Sequence, residues 1–259
     1  MRLALALFFC LATPLPAEEV DVELLLLVDV SRSMSPAELD LQREGYAEAL
    51  RSDVVAAALG RTLTGSIALA YVEWAGENRQ RIVQDWTRIT SRDDLDAFAR
   101  VLLADTTYTQ SRTSISGALL YGWASLDAND FDGMRRVIDI SGDGPNNQGG
   151  LVTRVRDEVV AAGIVINGLP LMTHDTFGAM WRLDDLDVYY EECVIGGPGA
   201  FVIPVTRWQD FAAAVTRKLV LEIAGTQPER IYRTQTRTAY DCLIGEKIWQ
   251  RNRQFNDNL

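Results

Sequence analysis

Short apolar runs alternate with longer amphipathic stretches along most of this chain, a pattern typical of a parallel sheet flanked by helices. The first run, VELLLLVDV at residues 22–30, is apolar at nearly every position. A strand that is buried on both faces has this pattern, whereas a half-exposed strand alternates apolar and polar residues. We therefore place this strand inside the sheet. Five further strands are predicted at Ser66–Trp74, Gln80–Trp86, Arg136–Ser141, Ile164–Leu171 and Ala200–Val205.

Helical patterns fill the segments between these strands. The sequence SPAE at residues 35–38 is a strong helix start, because it offers a capping serine, a proline for the first helical position and a glutamate for a capping box. The helix is predicted to run to about Leu59, just before Gly60. Further helices are predicted at Arg92–Ala104, Ile115–Leu126, Leu151–Ala162 and Trp208–Ile223, with a weaker helical pattern at Asp184–Glu192.

The link between the second and third strands determines their relative direction. It covers only Ala75–Arg79 and contains Gly76 and Asn78, which favours an antiparallel hairpin. The expected fold class is therefore α/β, with a doubly wound, mostly parallel six-stranded sheet, one antiparallel edge strand and helices on both faces.

The two ends of the chain depart from this pattern. Residues 1–17 carry one positive charge, a short apolar stretch and the small residue Ala17, which predicts a cleaved secretory signal peptide. No later stretch is long and apolar enough to cross a bilayer, so we expect no transmembrane segment in the mature chain. The main domain is expected at residues 20–225, followed by a polar C-terminal extension at residues 226–259.

Charge and cysteine content narrow the expected partners and compartment. The formal net charge is −11, and it becomes −12 without Arg2, since residues 1–17 contain no acid. So acidic a chain is poorly suited to nucleic acid, whereas a cation or a basic partner is easier to accommodate. Removal of the signal leaves Cys193 and Cys242, and an oxidising compartment permits a disulfide between them.

Oxygen-bearing side chains occur in three separate segments that meet one end of the predicted sheet. The first, DVSRS at residues 29–33, follows the buried strand and places Asp29, Ser31 and Ser33 at alternate positions. The second is RTSISGA at residues 112–118, which leads into a helix, and the third is SGDGP at residues 141–145, which ends a strand. Ligands of open α/β sheets bind in the crevice beyond the carboxyl ends of the strands, so the three segments are expected to converge there.

These motifs resemble the metal-ion-dependent adhesion site (MIDAS) of von Willebrand factor A-type (VWA) domains. The resemblance rests on D-x-S-x-S after the first strand, a threonine opening a central helix, and Asp-Gly after the fourth strand, and it covers roughly residues 20–225. SGDGPNN at residues 141–147 and CVIGGPGAFV at residues 193–202 also resemble a secreted bacterial branch of unknown function. The resemblance implies that a metal is bound by Asp29, Ser31, Ser33, Thr113 and Asp143.

The resemblance also implies the role of each of these residues. Ser31 and Ser33 would ligate the metal directly, Thr113 would do so in the ligand-bound state, and Asp29 and Asp143 would act largely through bound water. Hard cations prefer such oxygen ligands, so we expect Mg²⁺, with Mn²⁺ and Ca²⁺ as alternatives. Hydroxyl ligands bring no charge, and the electron-poor ion would attract the Asp or Glu of a protein partner. The expected protein is therefore a binding module secreted to the bacterial periplasm, not an enzyme.

Several other signals favour ordinary structural roles. His174, the single histidine, follows a strand and is expected in a surface loop. The segment Asp127–Gly133 is expected to be a solvated loop, because Phe131 stands where a calcium loop needs an oxygen ligand. Glu73 and Trp74 have two open interpretations, as support for the metal site or as packing and edge residues. The tryptophans expected to serve packing are Trp123, Trp181 and Trp208.

Two alternative functions remain open at the level of sequence. One is a metal-dependent hydrolase, although there is no G-x-S-x-G motif and a Ser-His-Asp triad would have to use His174. The other is a metal-free VWA scaffold that acts through its C-terminal extension. The complete set of oxygen-bearing residues favours metal binding over the scaffold.

Overall fold

The structure is a computed structural model that describes residues 17–106, 108–173, 182–226 and 239–257. Its strands are β1 (Glu18–Val20), β2 (Val22–Asp29), β3 (Ile67–Trp74), β4 (Gln80–Ile89), β5 (Phe131–Gly133), β6 (Arg136–Gly142) and β7 (Ile164–Pro170). Its α-helices are α1 (Pro36–Leu50), α2 (Asp53–Leu59), α3 (Arg92–Ala104), α4 (Ile115–Ala128), α5 (Val152–Ala161), α6 (Leu186–Tyr189), α7 (Phe211–Ala224) and α8 (Ile244–Asp257).

The central sheet has the strand order β4-β3-β2-β6-β7. All neighbouring pairs are parallel except β3 and β4, which form the predicted antiparallel hairpin at the edge. β2 lies in the middle, and all eight of its residues are buried, which explains its continuous apolar sequence. The predicted doubly wound, mostly parallel α/β fold is thus confirmed.

The prediction of a sixth strand at Ala200–Val205 is corrected by the structure. This segment runs parallel to β7 but forms only isolated bridges, Gly168 with Val202 and Leu171 with Val205. The ladder contains hydrogen bonds from the Gly168 amide to the Phe201 carbonyl and from the Met172 amide to the Val205 carbonyl. The intervening donor position is Pro170, which has no N–H. The missing bond divides what would be a strand into two bridges, and the central sheet has five strands within the described ranges.

Helices cover both faces of the sheet and enclose two apolar clusters. On one face, α1 and α7 pack over side chains such as Leu24, Leu26 and Leu69. On the other face, α4 and α5 pack over Leu25 and Ile138. Successive residues of a strand point to opposite faces, so the uninterrupted apolar sequence of β2 serves both clusters.

The predicted first helix, which was expected to continue to Leu59, is instead two helices. α1 ends at Leu50, and α2 begins at Asp53 because the Ser52 hydroxyl accepts a hydrogen bond from the Val55 amide as an N-cap. The Asp184–Glu192 pattern forms α6 followed by a π-helical turn at Tyr190–Val194. The end of the predicted Trp208–Ile223 helix is α7, preceded by a 3-10 turn at Trp208–Asp210.

Two segments are more ordered than the sequence indicated. Residues 131–133 of the expected solvated loop form β5, which pairs in parallel with β1. The polar C-terminal extension contains α8, a helix of 14 residues. Within the described residues, no helix is both long and apolar enough to span a bilayer.

Candidate metal centre

Asp29 is the last residue of β2 and lies at the carboxyl end of the sheet, fully buried. Its Oδ1 atom accepts a hydrogen bond of 2.7 Å from the Ser31 amide. Gln42 of α1 donates to the Asp29 carbonyl oxygen at 3.0 Å and holds the strand end in place. The second carboxylate oxygen, Oδ2, is buried without a hydrogen-bond partner among the described residues. A buried oxygen of this kind is costly unless a ligand or water satisfies it.

Ser31, Ser33 and Asp143 form a continuous chain of contacts. The two serine hydroxyls are 2.8 Å apart, and the Ser33 hydroxyl donates to Asp143 Oδ1 at 2.7 Å. Ser33 and Asp143 are 110 residues apart in the sequence, and the parallel pairing of β2 with β6 brings them to the same sheet end. The structure therefore brings the first and third predicted segments together.

Thr113 is buried in the loop that opens α4, and Asn147 connects it to the third segment. The Thr113 amide donates to Asn147 Oδ1 at 3.0 Å, and the Asn147 amide donates to the Thr113 carbonyl at 2.8 Å. The same loop contacts the first segment, since the Gln110 amide donates to the Val30 carbonyl at 2.9 Å. All three predicted segments are thus joined by hydrogen bonds at one end of the sheet.

Asn146 is a supporting residue that the sequence did not single out. It is completely buried, and its Oδ1 accepts from the Ser116 amide in the first turn of α4 at 3.1 Å. The backbone amide of Asn146 donates to the Tyr189 hydroxyl at 3.1 Å. The signal available in the sequence was the Asn-Asn pair directly after Asp-Gly-Pro. Buried side-chain amides at a strand end must find several partners, and here those partners fix the loop that carries Asp143.

Tyr190 is a second supporting residue that sequence reasoning missed. Its buried hydroxyl and Asp29 Oδ2 both lie beside Gly142, where a β-carbon would be 2.9 Å from Asp29 Oδ2 and 3.0 Å from the Tyr190 oxygen. A side chain at position 142 would therefore crowd both groups. Burial and the nearby charge of Asp29 raise the pKa of Tyr190 well above its usual value, so the hydroxyl keeps its proton.

The electrostatics of the centre favour a cation. Burial and the charge of Asp143 raise the pKa of Asp29 well above its usual value. Burial also raises the pKa of Asp143 to about 6, against the lowering effect of the Ser33 hydrogen bond. Glu38 adds negative charge near Asp143, and Arg182 partly offsets it. Two carboxylates confined close together repel each other, and a bound cation would relieve both the repulsion and the burial cost.

The available donors fit a hard cation. Hydroxyl and carboxylate oxygens are the ligands that Mg²⁺ and Ca²⁺ prefer, and Asp29 Oδ2, which has no hydrogen-bond partner in the part of the chain that the structure describes, supplies an acceptor. In the described part of the chain there is no cluster of three or more His, Cys, Asp or Glu side chains placed to hold a metal. A site of this type would instead rely on serine and threonine hydroxyls together with two aspartates.

Other predicted residues have roles outside the centre. Glu73 forms ion pairs with Arg43 at 2.5 Å and with Arg81 at 2.7 Å, and Arg43 also donates to the Thr106 carbonyl. Glu73 therefore supports the loop that leads towards Thr113. Trp74 is fully buried and belongs to one of the two apolar clusters, so its role is packing.

The tryptophans, the histidine and the cysteines complete the set of predicted residues. Trp123 and Trp208 pack against the two apolar clusters as predicted. His174 and Trp181 lie outside the described residues. Cys193 and Cys242 form a disulfide with a Cα–Cα distance of 5.6 Å, which attaches the C-terminal extension to the π-helical turn.

Known structures share this fold at low sequence identity. Proximal thread matrix protein 1 from the mussel byssus aligns with a TM-score of 0.57 and 13% identity over 80% of this chain and 49% of that one. Another structure of the mussel protein has a zinc-occupied MIDAS motif and aligns with a TM-score of 0.53 and 11% identity. The pilus adhesin SpaC from Lactobacillus rhamnosus GG has a TM-score of 0.55 and 12% identity over 82% of this chain and 31% of that one.

A von Willebrand factor type A structure from Catenulispora acidiphila aligns with a TM-score of 0.51 and 13% identity, covering 80% of this chain and 43% of that one. This chain thus spans about half the length of the mussel protein and less of the other two. No curated protein matches the sequence. The family model described as "Protein of unknown function (DUF1194)" matches residues 19–227. The chain therefore belongs to the DUF1194 family, and its fold is that of a von Willebrand factor A-type domain.

Proposed function

We propose that this chain is a secreted binding module that recognises a protein partner through a divalent cation. The residues that would hold the cation are Asp29, Ser31, Ser33, Thr113 and Asp143. One observation carries the proposal: the Ser31–Ser33–Asp143 contacts lie at the carboxyl end of the sheet, where Asp29 Oδ2 is buried without a hydrogen-bond partner among the residues described. The zinc-occupied MIDAS motif of the mussel protein supports a divalent cation on this fold.

The donor set favours recognition over bond cleavage. Ser31, Ser33 and Thr113 are neutral donors, so Mg²⁺ held with their help would keep enough positive charge to attract an Asp or Glu of the partner. Asp29 is held by the Ser31 amide and Asp143 by the Ser33 hydroxyl, so both carboxylates are positioned before any ligand arrives. The pilus adhesin with the same fold supports a binding role in general.

Metal binding is tested by thermal unfolding of the mature chain. Mg²⁺ or Mn²⁺ at about 100 times Kd should stabilise the folded state by about 2.7 kcal/mol and raise the Tm relative to EDTA. Asp29→Ala and Asp143→Ala should fold but lose this rise. Asp132→Ala is the matched control, because Asp132 is an exposed carboxylate on β5 at the opposite end of the sheet. Equal melting curves with saturating metal and with EDTA would refute metal binding.

Partner recognition is tested by capture from a periplasmic extract with and without EDTA. Capture should require metal and should be lost in Thr113→Ala, which removes the ligand expected to engage in the bound state. The same preparations are assayed with ester and phosphoester substrates. Metal-dependent turnover that disappears in Asp29→Ala, without a metal-dependent partner, would replace the binding module by a hydrolase. Capture that is unchanged in EDTA would favour a metal-free scaffold.

A further inference from the structure

The C-terminal helix α8 lies directly beside the candidate metal centre. A β-carbon at Gly245 would overlap the Asn146 carbonyl oxygen, so the first turn of α8 touches the loop backbone three residues after Asp143. Asn146 Nδ2 also donates to Glu246 Oε1 at 2.8 Å. The helix is therefore packed against the loop that carries one of the candidate metal ligands.

A second contact joins α8 to the loop that carries Thr113. The Arg112 guanidinium lies over the Trp249 ring, 3.9 Å from its centroid, and Arg112 directly precedes Thr113. Arg112 has a φ angle of 79°, a left-handed conformation that is unusual for a residue with a side chain. Such a backbone persists only where its surroundings hold it, and the Trp249 ring is part of those surroundings.

The beginning of α8 is fastened to the domain by the disulfide. Cys242 is bonded to the buried Cys193, the Tyr240 ring packs edge-on against Tyr189 at 6.2 Å, and Ile248 is buried. These contacts attach the first part of α8 to the domain at the edge of the candidate metal centre.

Two arginine side chains contact the Trp249 ring of α8. Arg253, one turn after Trp249, has its guanidinium 5.4 Å from the ring centroid, and Arg112 has its guanidinium 3.9 Å away. Because both guanidiniums contact the same ring, their positive charges lie close to each other. Among the described residues, Arg112 has no carboxylate at ion-pairing distance. The Arg112 guanidinium therefore offers its N–H donors to an anion that approaches the Trp249 ring.

We propose that Arg112, Trp249 and Arg253 form a second contact area for the partner, which binds a further carboxylate of an acidic protein segment. This proposal rests on the proposed function, because the first carboxylate of that segment would occupy the metal centre. Guanidinium groups bind carboxylates through paired N–H donors, and stacking on an indole fixes the plane of those donors. The partner is therefore a segment with two or more acidic residues, not one with a lone Asp or Glu.

The net charge of the chain favours an acidic peptide over a nucleic acid. At −11 the protein as a whole repels a polyanion such as DNA, whose binding requires many phosphate contacts. A short acidic segment needs only the metal centre and the neighbouring arginines. The local positive charge is thus sufficient for a peptide and too small for a long phosphate backbone.

The test compares two labelled peptides on the mature chain with Mg²⁺, in salt of about 0.15 M that screens distant charges. One probe is decaglutamate, and the other is a Gly/Ser peptide of the same length with a single Asp. Decaglutamate should bind about tenfold more tightly, as expected for one added charge-assisted contact. Arg253→Gln and Arg112→Gln should each remove this preference. Arg251→Gln is the matched control, since Arg251 is exposed on another face of α8.

The proposal is overturned if the wild type shows no preference, or if either folded variant, Arg253→Gln or Arg112→Gln, retains it. It is also overturned if oligothymidine of equal length binds as tightly as decaglutamate with the same dependence on the arginines. The Tm with and without Mg²⁺ is recorded in the same preparations. A persistent metal-dependent Tm with no peptide preference refutes only the second contact area. If the Tm does not change with Mg²⁺, the proposed function is refuted. The second contact area is then judged separately, by whether the preference for decaglutamate in EDTA still depends on the two arginines.

Discussion

Lys218 of α7 is fully buried between two carboxylates, 3.0 Å from Asp139 of β6 and 2.5 Å from Glu222 of its own helix. Asn167 of β7 adds a hydrogen bond of 2.9 Å to Glu222. Removing charges from water costs several kcal/mol for each ion, and the cost is offset only when the partners stay together. This cluster therefore makes the pairing of α7 with β6 sensitive to any change in its charge.

Lys218→Met should lower the free energy of unfolding by about 3–5 kcal/mol, because Asp139 and Glu222 would remain buried without a counter-charge. Lys247→Met is the matched control. Its side chain is 57% exposed and pairs with Asp241 at the surface, so the change should be within about 1 kcal/mol. Chemical denaturation of both variants measures the difference. Similar losses in the two variants would contradict a special role for the buried cluster.

Asp139 should make stability depend on pH. Burial and the charge of Glu222 raise its pKa to about 7, against the lowering effect of Lys218, and the buried Tyr46 lies in the same electrostatic environment. A carboxyl whose pKa is raised on folding binds more protons in the folded state, so its stabilising contribution is complete below about pH 4 and is lost as the pH rises through about 7. We expect the Asp139 contribution to fall across this window.

The comparison of Asp139→Asn with wild type isolates this contribution. An amide cannot ionise, so the variant should gain stability relative to wild type between pH 5 and pH 8, as measured by urea unfolding at both pH values. Parallel pH profiles of the two proteins would show that Asp139 does not titrate as the burial predicts. The opposite sign would show that its folded pKa is lowered.

Residues of the candidate centre differ in how far the sequence reveals them. Asp29, Ser31 and Ser33 follow a buried strand at alternate positions, so their convergence could be predicted from local pattern and strand geometry. Their role in binding metal stays a prediction. Tyr190 and Asn146 could not be predicted, because they reach the centre from a π-helical turn and a loop whose positions depend on tertiary packing.

At the level of elements, the sequence predicted most strands and helices but not where pairing fails. The parallel sheet and the β3–β4 hairpin are confirmed, since hydrophobic runs and a short Gly-containing link determine them. The Ala200–Val205 segment was overpredicted because the missing donor belongs to its neighbour, Pro170. α8 could not be predicted because its apolar residues are few, and its contacts with the disulfide, Asn146 and Arg112 depend on tertiary packing.

The Cys193–Cys242 bridge should stabilise the position of α8. It joins residues 49 apart, and Cys242→Ser should lower the free energy of unfolding by about 2–4 kcal/mol. Wild type treated with a reductant should behave like the variant, whereas the variant itself should not respond to reductant. Melting curves with and without reductant make the comparison. Two free thiols, found by mass spectrometry of periplasmically expressed protein, would refute the bridge.

At the scale of the whole molecule, the strand order determines where the candidate centre can form. β2 lies between β3 and β6, so the segments after β2 and β6 leave the sheet side by side. The loop before α4 reaches the same edge through its hydrogen bond to Val30. This topology places chemistry at the carboxyl end of the strands, as in other open α/β sheets. The fold therefore could be predicted from periodicity, and the location of the centre follows from the fold.

The scarcity of lysine has a practical consequence for experiments on this protein. The sequence contains two lysines, and Lys218 is inaccessible in the core. Apart from the chain's α-amino group, amine-reactive dyes and sensor-chip chemistry would therefore couple at Lys247, which lies on α8 two residues before Trp249. A standard amine-immobilised sample would be tethered through α8, the helix that carries Trp249 and Arg253, and the sensor surface could then obstruct access to them. Lys247→Arg, with attachment through an engineered tag, removes this tether from the helix.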